Sequence, residues 1–142
     1  MYIKNTVDKL IERFKTNDPF ELADYMGIII IKEPLGSING YYNKFVRQKF
    51  IHLNSNLDER LQLFVCAHEL GHAVMHPDAN TPFLKNKTFY SVNKLERQAN
   101  IFAATLLIDD DIFNRYAGES LDYIAMVKKI PLELLKLRCE NI

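Results

Sequence analysis

CAHELGHAVMH, residues 66–76, decides how the rest of the chain is read. Two histidines, His68 and His72, stand four residues apart, with Glu69 between them and Gly71 in the interior. The residues before it include Leu61, Leu63, Phe64, Val65 and Ala67, apolar on most faces, so one central helix is expected. Asn56 is expected to cap its start, with Glu59 completing a capping box three residues later. Pro77 ends it after His76. Residues four apart on a helix lie on one face, one above the other. Two imidazoles so placed can aim nitrogens at a single tetrahedral metal ion. Glu69 falls on the edge of the same face, where its carboxylate can reach a water without coordinating the metal. Gly71 costs about 1 kcal/mol relative to alanine in a helix interior. Its missing side chain lets another element approach, either beside the site or in a tight helix crossing.

The spacing is the H-E-x-x-H signature of zinc peptidases. Zinc lowers the pKa of water to near neutrality, and a neighbouring carboxylate accepts the proton as the water attacks a carbonyl. Such a centre takes three protein ligands and keeps one position open. Three residues are candidates for the third ligand. Asp78 lies where one extended form of the motif has a ligand, but Met75 replaces the glycine that form requires. His76 continues the helix by one turn; a third stacked imidazole diverges along the axis and suits a helix-terminal or hydrogen-bonding role. Glu96 lies 24 residues after His72, on the next expected helix. Asn100, four residues further on, falls on the same side as Glu96. Its amide oxygen is placed to fix a metal-binding ring through the far nitrogen.

The flanking segments suggest an α+β fold. Residues 4–15 repeat apolar positions at Val7, Leu10, Ile11 and Phe14, a helical spacing. Asp18-Pro19 starts a second short helix that ends near Gly27. GIIIIKEP, residues 27–34, reads as a buried strand. INGYYN, 38–43, and KFIHL, 49–53, read as two more, joined by a hairpin at FVRQ. About three strands are expected, in a small antiparallel sheet. Residues 77–92 read as a loop that holds Tyr90, a candidate oxyanion stabiliser. A helix follows from about Asn93 to Leu107, with Ala99, Phe102, Ala103 and Leu106 as its buried stripe. The tail is expected to hold two or three short helices, DDDIFNRYA, SLDYIAMVKK and PLELLKLR; the segment SLDYIAMVKKIPLELLKLR completes the core or grips a helical partner. The strand KFIHLN is expected either to pack in the sheet or to receive an extended substrate at its edge. His52 on that strand reads as structural and Cys66 as apolar filler.

Lysine plus arginine and aspartate plus glutamate both number 18, so the formal net charge is zero. That balance argues against direct nucleic-acid binding. Cys66 and Cys139 suggest no disulfide framework. With no signal-like or membrane-spanning run, a cytoplasmic protein without membrane contact is expected.

HELGHAVMH followed by LERQANIFAATLLI resembles the ImmA/IrrE family of small metallopeptidases. Glu96, Ala99, Asn100, Phe102, Ala103, Leu106 and Leu107 match its second helix. The resemblance implies a minimal, thermolysin-like zincin core. It implies Zn2+ held by His68, His72 and Glu96, with Glu69 as general base; Asn100 and His76, read from their helix positions, are expected to bond to the rings from outside. Length and element order suggest one domain over residues 1–142: N-terminal helices (1–27), a small sheet (28–54), the zinc-site helices (55–108) and short C-terminal helices (109–142). The short, ImmA-like form implies a site-specific endopeptidase. Its substrate would be a helix-turn-helix repressor encoded nearby, whose cleavage derepresses a phage or integrative element. The alternative is a module that controls the repressor by contact alone, or a toxin–antitoxin partner.

Overall fold

The computed structural model describes residues 2–81 and 89–141, with residues 89–93 described as backbone only. The α+β class is as expected and is consistent with a small zincin-like core. Helix α1 (Tyr2–Phe14) buries Ile3 and Val7. Helix α2 (Pro19–Tyr25) starts where the Asp18 carboxylate accepts the Phe20 N–H at 2.9 Å. It buries Leu22 and Ala23 against the next layer. Strands β1 (Ile29–Glu33), β2 (Gly40–Phe45) and β3 (Gln48–Asn54) follow. Helix α3 (Glu59–Met75) lies across β2 and β3, and α4 (Phe89–Leu107) packs along α3. Three short helices close the chain: α5 (Ile112–Arg115), α6 (Leu121–Lys128) and α7 (Leu132–Glu140).

The sheet departs from expectation. Its order is β1-β3-β2, with β1 parallel to β3 and only β2 antiparallel to it. The hairpin after β2 returns β3 between the two earlier strands, so β3 runs the same way as β1. Asn54 fixes this arrangement: its side chain donates to the carbonyls of Gly36 and Ile38, both at 3.0 Å, gripping the connection that crosses from β1 to β2. Because β3 is central and paired on both sides, KFIHLN offers no free edge to a substrate. The isoleucine run is not a fully buried strand either. Only Ile28, just before β1, is buried, at 5% exposed; Ile29 is 45% exposed, and Ile30 and Ile31 are half-buried. His52 ties the sheet across its width, bonding Glu33 of β1 at 3.1 Å and Asn43 of β2 at 2.8 Å.

Two helix starts also differ. Asp58, not Asn56, caps α3, accepting the Leu61 N–H at 2.8 Å. The Asn54 side chain takes the Asn56 N–H at 3.0 Å and holds that residue in the preceding turn. Helix α4 begins at Phe89 rather than near Asn93. Tyr90 therefore belongs to a helix and not to a loop; its side chain lies outside the described residues.

The main core joins the sheet to α1, α2, α3 and α4. All four residues of the expected α4 stripe are buried in it or beside it, none above 2% exposed. Ile108, Ile112, Ile124 and Leu135 form a second cluster under the C-terminal helices, so the tail completes the interior. There the buried Arg138 donates from Nε to the Ile108 carbonyl at 2.8 Å, just past the end of α4.

Gly40 is tightly packed and Val46 is strained. A Cβ on Gly40 would lie 2.7 Å from both the His52 carbonyl oxygen and Val65 Cγ1. We expect Gly40→Ala to lower unfolding stability by about 1–3 kcal/mol, since the strand or α3 must shift. Val46, at φ +59°, opens the two-residue hairpin turn and is exposed. A β-branched residue is strained in that region. Val46→Gly should therefore raise the urea denaturation midpoint slightly, and an unchanged or lower midpoint would refute the strain.

Candidate metal centre

The site is assembled by two helices. On α3, His68 and His72 share one face, and Glu69 is buried at 5% exposed. On α4, Glu96 and Asn100 face them. Close approach is permitted at Gly71, where an added Cβ would lie 3.1 Å from three carbons of the Phe102 side chain on α4. Gly71 thus serves the tight crossing that brings the second helix to the histidines.

Glu96 sits between the two rings. Its Oε2 is 3.0 Å from His68 Nε2 and its Oε1 is 2.9 Å from His72 Nε2. Asn100 Oδ1 takes the other side of His68, 2.8 Å from Nδ1. His72 Nδ1 meets His76 Nδ1 at 3.1 Å, and His76 Nε2 meets Gln98 Oε1 at 2.7 Å. The two inner rings stand nearly perpendicular, at 83°. One donor atom each from His68, Glu69 and His72 also lies within 4.8 Å of the others. The two carboxylates are not equivalent, however. Glu69 Oε2 is 4.0 Å from His68 Nε2, farther than either Glu96 contact.

Proton placement tests whether this set suits a metal. Asn100 Oδ1 has no hydrogen, so His68 donates from Nδ1 and a neutral ring keeps its Nε2 lone pair. A neutral His72 that donates from Nδ1 does the same. Two nitrogen lone pairs then face an ionised carboxylate at hydrogen-bond distance. Three acceptors cannot satisfy one another; a shared cation, a proton or a metal ion, resolves the contact. Imidazole nitrogens and a carboxylate are donors that zinc accepts.

The electrostatics agree with an ionised Glu96. Burial alone would raise its pKa, but the hydrogen bonds and charges of His68 and His72 outweigh it, and the pKa is held far below the carboxylate range. For His68, burial pulls the pKa down, but bonding to Glu96 and the charges of Glu69 and Glu96 leave it raised. Burial lowers the pKa of His72 and of His76.

Other sequence candidates fall elsewhere. Asp78 is exposed and pairs with Lys44 at 3.1 Å. Cys66 is fully buried, and burial pushes its thiol pKa up, as suits an inert filler. Gln98 escaped the sequence reading. Two residues after Glu96 on a helix, it does not share the Glu96–Asn100 face by spacing, and no pattern marks it.

Comparison with known proteins follows the same residues. The model of the peptidase M78 family, IrrE N-terminal-like domain, matches residues 23–140. The chain is 45% identical over 139 residues to the uncharacterized immunity region protein 2 of Bacillus phage phi105, covering 96% of this chain and 88% of that protein. It is 40% identical over 124 residues to metallopeptidase ImmA of Bacillus subtilis (strain 168), covering 86% of this chain and 70% of that one.

The Glu96 geometry predicts a pH signature in protein stripped of metal. A carboxylate whose folded pKa is depressed adds stability above its ordinary value of 4.5 and loses it as pH falls below. His72, lowered from 6.5, also disfavours acid, whereas His68, raised from the same value, favours it. Urea unfolding of the chelated protein should therefore show stability falling steeply below about pH 4.5. Glu96→Gln should flatten that limb; an unchanged slope would show that Glu96 is not ionised between the rings.

Proposed function

The chain belongs to the peptidase M78 family of IrrE N-terminal-like domains, and from that premise we propose that it is a zinc-dependent, site-specific endopeptidase. The observation that carries the reading is the convergence of His68, His72 and Glu96, with the outer nitrogens of both histidines already engaged. These three would hold the ion. Zinc bound there supplies Lewis acidity, making water more acidic and polarising a substrate carbonyl.

The chain's own residues account for the rest of the reaction. Glu69, buried and 4.0 Å from His68 Nε2, borders the centre without occupying the place of Glu96. Its carboxylate accepts a proton from the attacking water. As the peptide C–N bond breaks and a C–O bond forms, Glu69 returns that proton to the departing amine nitrogen. Asn100 holds the His68 ring in place.

Beside Glu69 opens a cavity of about 430 Å3. Ile38, Phe64, Val65, Ala103 and Leu134 contribute apolar walls, and Gly40 lies at its rim. Further along β2, the Tyr42 and Lys44 N–H groups are taken by Thr81 Oγ1 and Asn80 Oδ1. The start of β2 and its preceding loop are thus the strand edge beside Glu69. An extended peptide laid there would present an apolar side chain to the cavity.

For the substrate we propose a helix-turn-helix repressor of a phage or integrative element, encoded nearby. Support comes from the relatives, one named an immunity region protein of a phage and the other a metallopeptidase. Control by contact alone, or a toxin–antitoxin partnership, is the competing reading. Among the described residues no helix is long and apolar enough to cross a membrane.

The test is co-incubation with the neighbouring repressor and mass analysis of fragments. Cleavage should stop with chelator and return with zinc. Glu69→Gln should lower the turnover rate by roughly 10²–10⁴-fold while retaining zinc. If Glu69→Gln relieves repression fully with no fragments, the contact reading replaces the peptidase.

A further inference from the structure

His76 has no part in peptide-bond hydrolysis as derived above, yet both nitrogens of its ring are engaged. Nδ1 lies 3.1 Å from His72 Nδ1, and Nε2 lies 2.7 Å from Gln98 Oε1. The protons along this line can be assigned in order. An amide oxygen carries no hydrogen, so His76 donates to Gln98 from Nε2. A neutral imidazole has one N–H, which leaves a lone pair on His76 Nδ1. Two lone pairs do not face each other at 3.1 Å, so the hydrogen between the rings sits on His72 Nδ1. His72 therefore keeps its lone pair on Nε2, the atom that faces Glu96 at 2.9 Å.

We propose that Gln98 and His76 are positioning residues, a two-step relay that locks His72 in the tautomer able to bind the metal. The inference rests on the metal centre proposed above. At His68 the same task takes one residue, Asn100, directly across from the ring. His72 Nδ1 instead points along its own helix, where the next turn presents His76. The ring of His72 is fully buried, so its tautomer is set by protein groups. The relay itself is held at its end. The His76 N–H bonds to the His72 carbonyl at 2.7 Å, and the Ala79 N–H bonds to the His76 carbonyl at 3.0 Å. The Tyr42 hydroxyl donates to the carbonyl of Pro77, pinning the chain that leaves the helix. Gln98 brings the second zinc-site helix into the relay, so the α3–α4 crossing orients both rings.

The test measures zinc affinity by competition with a chromophoric chelator. His76→Ala and Gln98→Ala should each weaken binding by about 10- to 100-fold, with thermal unfolding of the metal-free variants close to wild type. Gln98→Glu keeps an acceptor oxygen and should restore tight binding. In the zinc-loaded wild type, 15N NMR of His76 should show the hydrogen on Nε2 and a bare Nδ1. Variants that bind zinc as tightly as wild type, or a His76 protonated on Nδ1 alone, would overturn the relay. So would affinity lost only in proportion to lost thermal stability, the mark of a packing residue. A wild-type protein that takes up no zinc would instead bring down the metal centre, and the relay with it.

Discussion

The crossing of α3 over α4 at Gly71 and Phe102 is the constraint on which the site depends. Both inner histidines come from one helix, and that helix alone supplies only two convergent nitrogens. In the proposed centre the third ligand, Glu96, comes from the facing helix. An aromatic ring packed against a glycine sets the distance between the helices better than flexible polar contacts, because packed interiors resist compression. Glycine costs helix stability at that point. The close approach it allows puts Glu96 within 3.0 Å of both rings.

The sheet contributes by holding α3 in place. Val65 on α3 seats over Gly40, and Lys49 on β3 donates to the Ala73 carbonyl at 2.9 Å, near the helix end. The buried Tyr42 reaches past the end of α3 with its hydroxyl, while the backbone of the same residue exchanges two bonds with Thr81. These contacts cover part of the β2 edge and leave its beginning beside the cavity. A small mixed sheet with one central strand is enough to position the helix, the hairpin and the cleft wall together.

Much of this arrangement was legible in the sequence, for identifiable reasons. The histidine pair and Glu69 follow from helical periodicity, and the α4 stripe follows from the same rule. Glu96 and Asn100 are recognisable as a pair because they too are four apart. What escaped depends on contacts between distant segments. The parallel pairing of β1 is set by the Asn54 side chain gripping a connection some sixteen to eighteen residues away, which no strand pattern encodes. Asn56 and Asp58 are comparably favoured caps; the capture of the Asn56 N–H by Asn54 holds Asn56 in the preceding turn. Gln98 joins the site from off the expected face, so periodicity points away from it.

The two glutamates show why identity of residue type is not identity of role. Both are negative and both border the same imidazoles, yet their positions differ in kind. Glu96 comes from the opposing helix and can lie between the rings, so each of its oxygens meets one nitrogen. Glu69 follows His68 directly on the same helix, which turns its side chain to the edge of the face. From there its Oε2 stands 4.0 Å from His68 Nε2, farther than either Glu96 contact. A hydrolytic site needs one acceptor committed to the cation and another left for water. In the proposed centre the helix geometry makes that division: Glu96, on the facing helix, would hold the cation, and Glu69, at the edge of the histidine face, would take the proton from water.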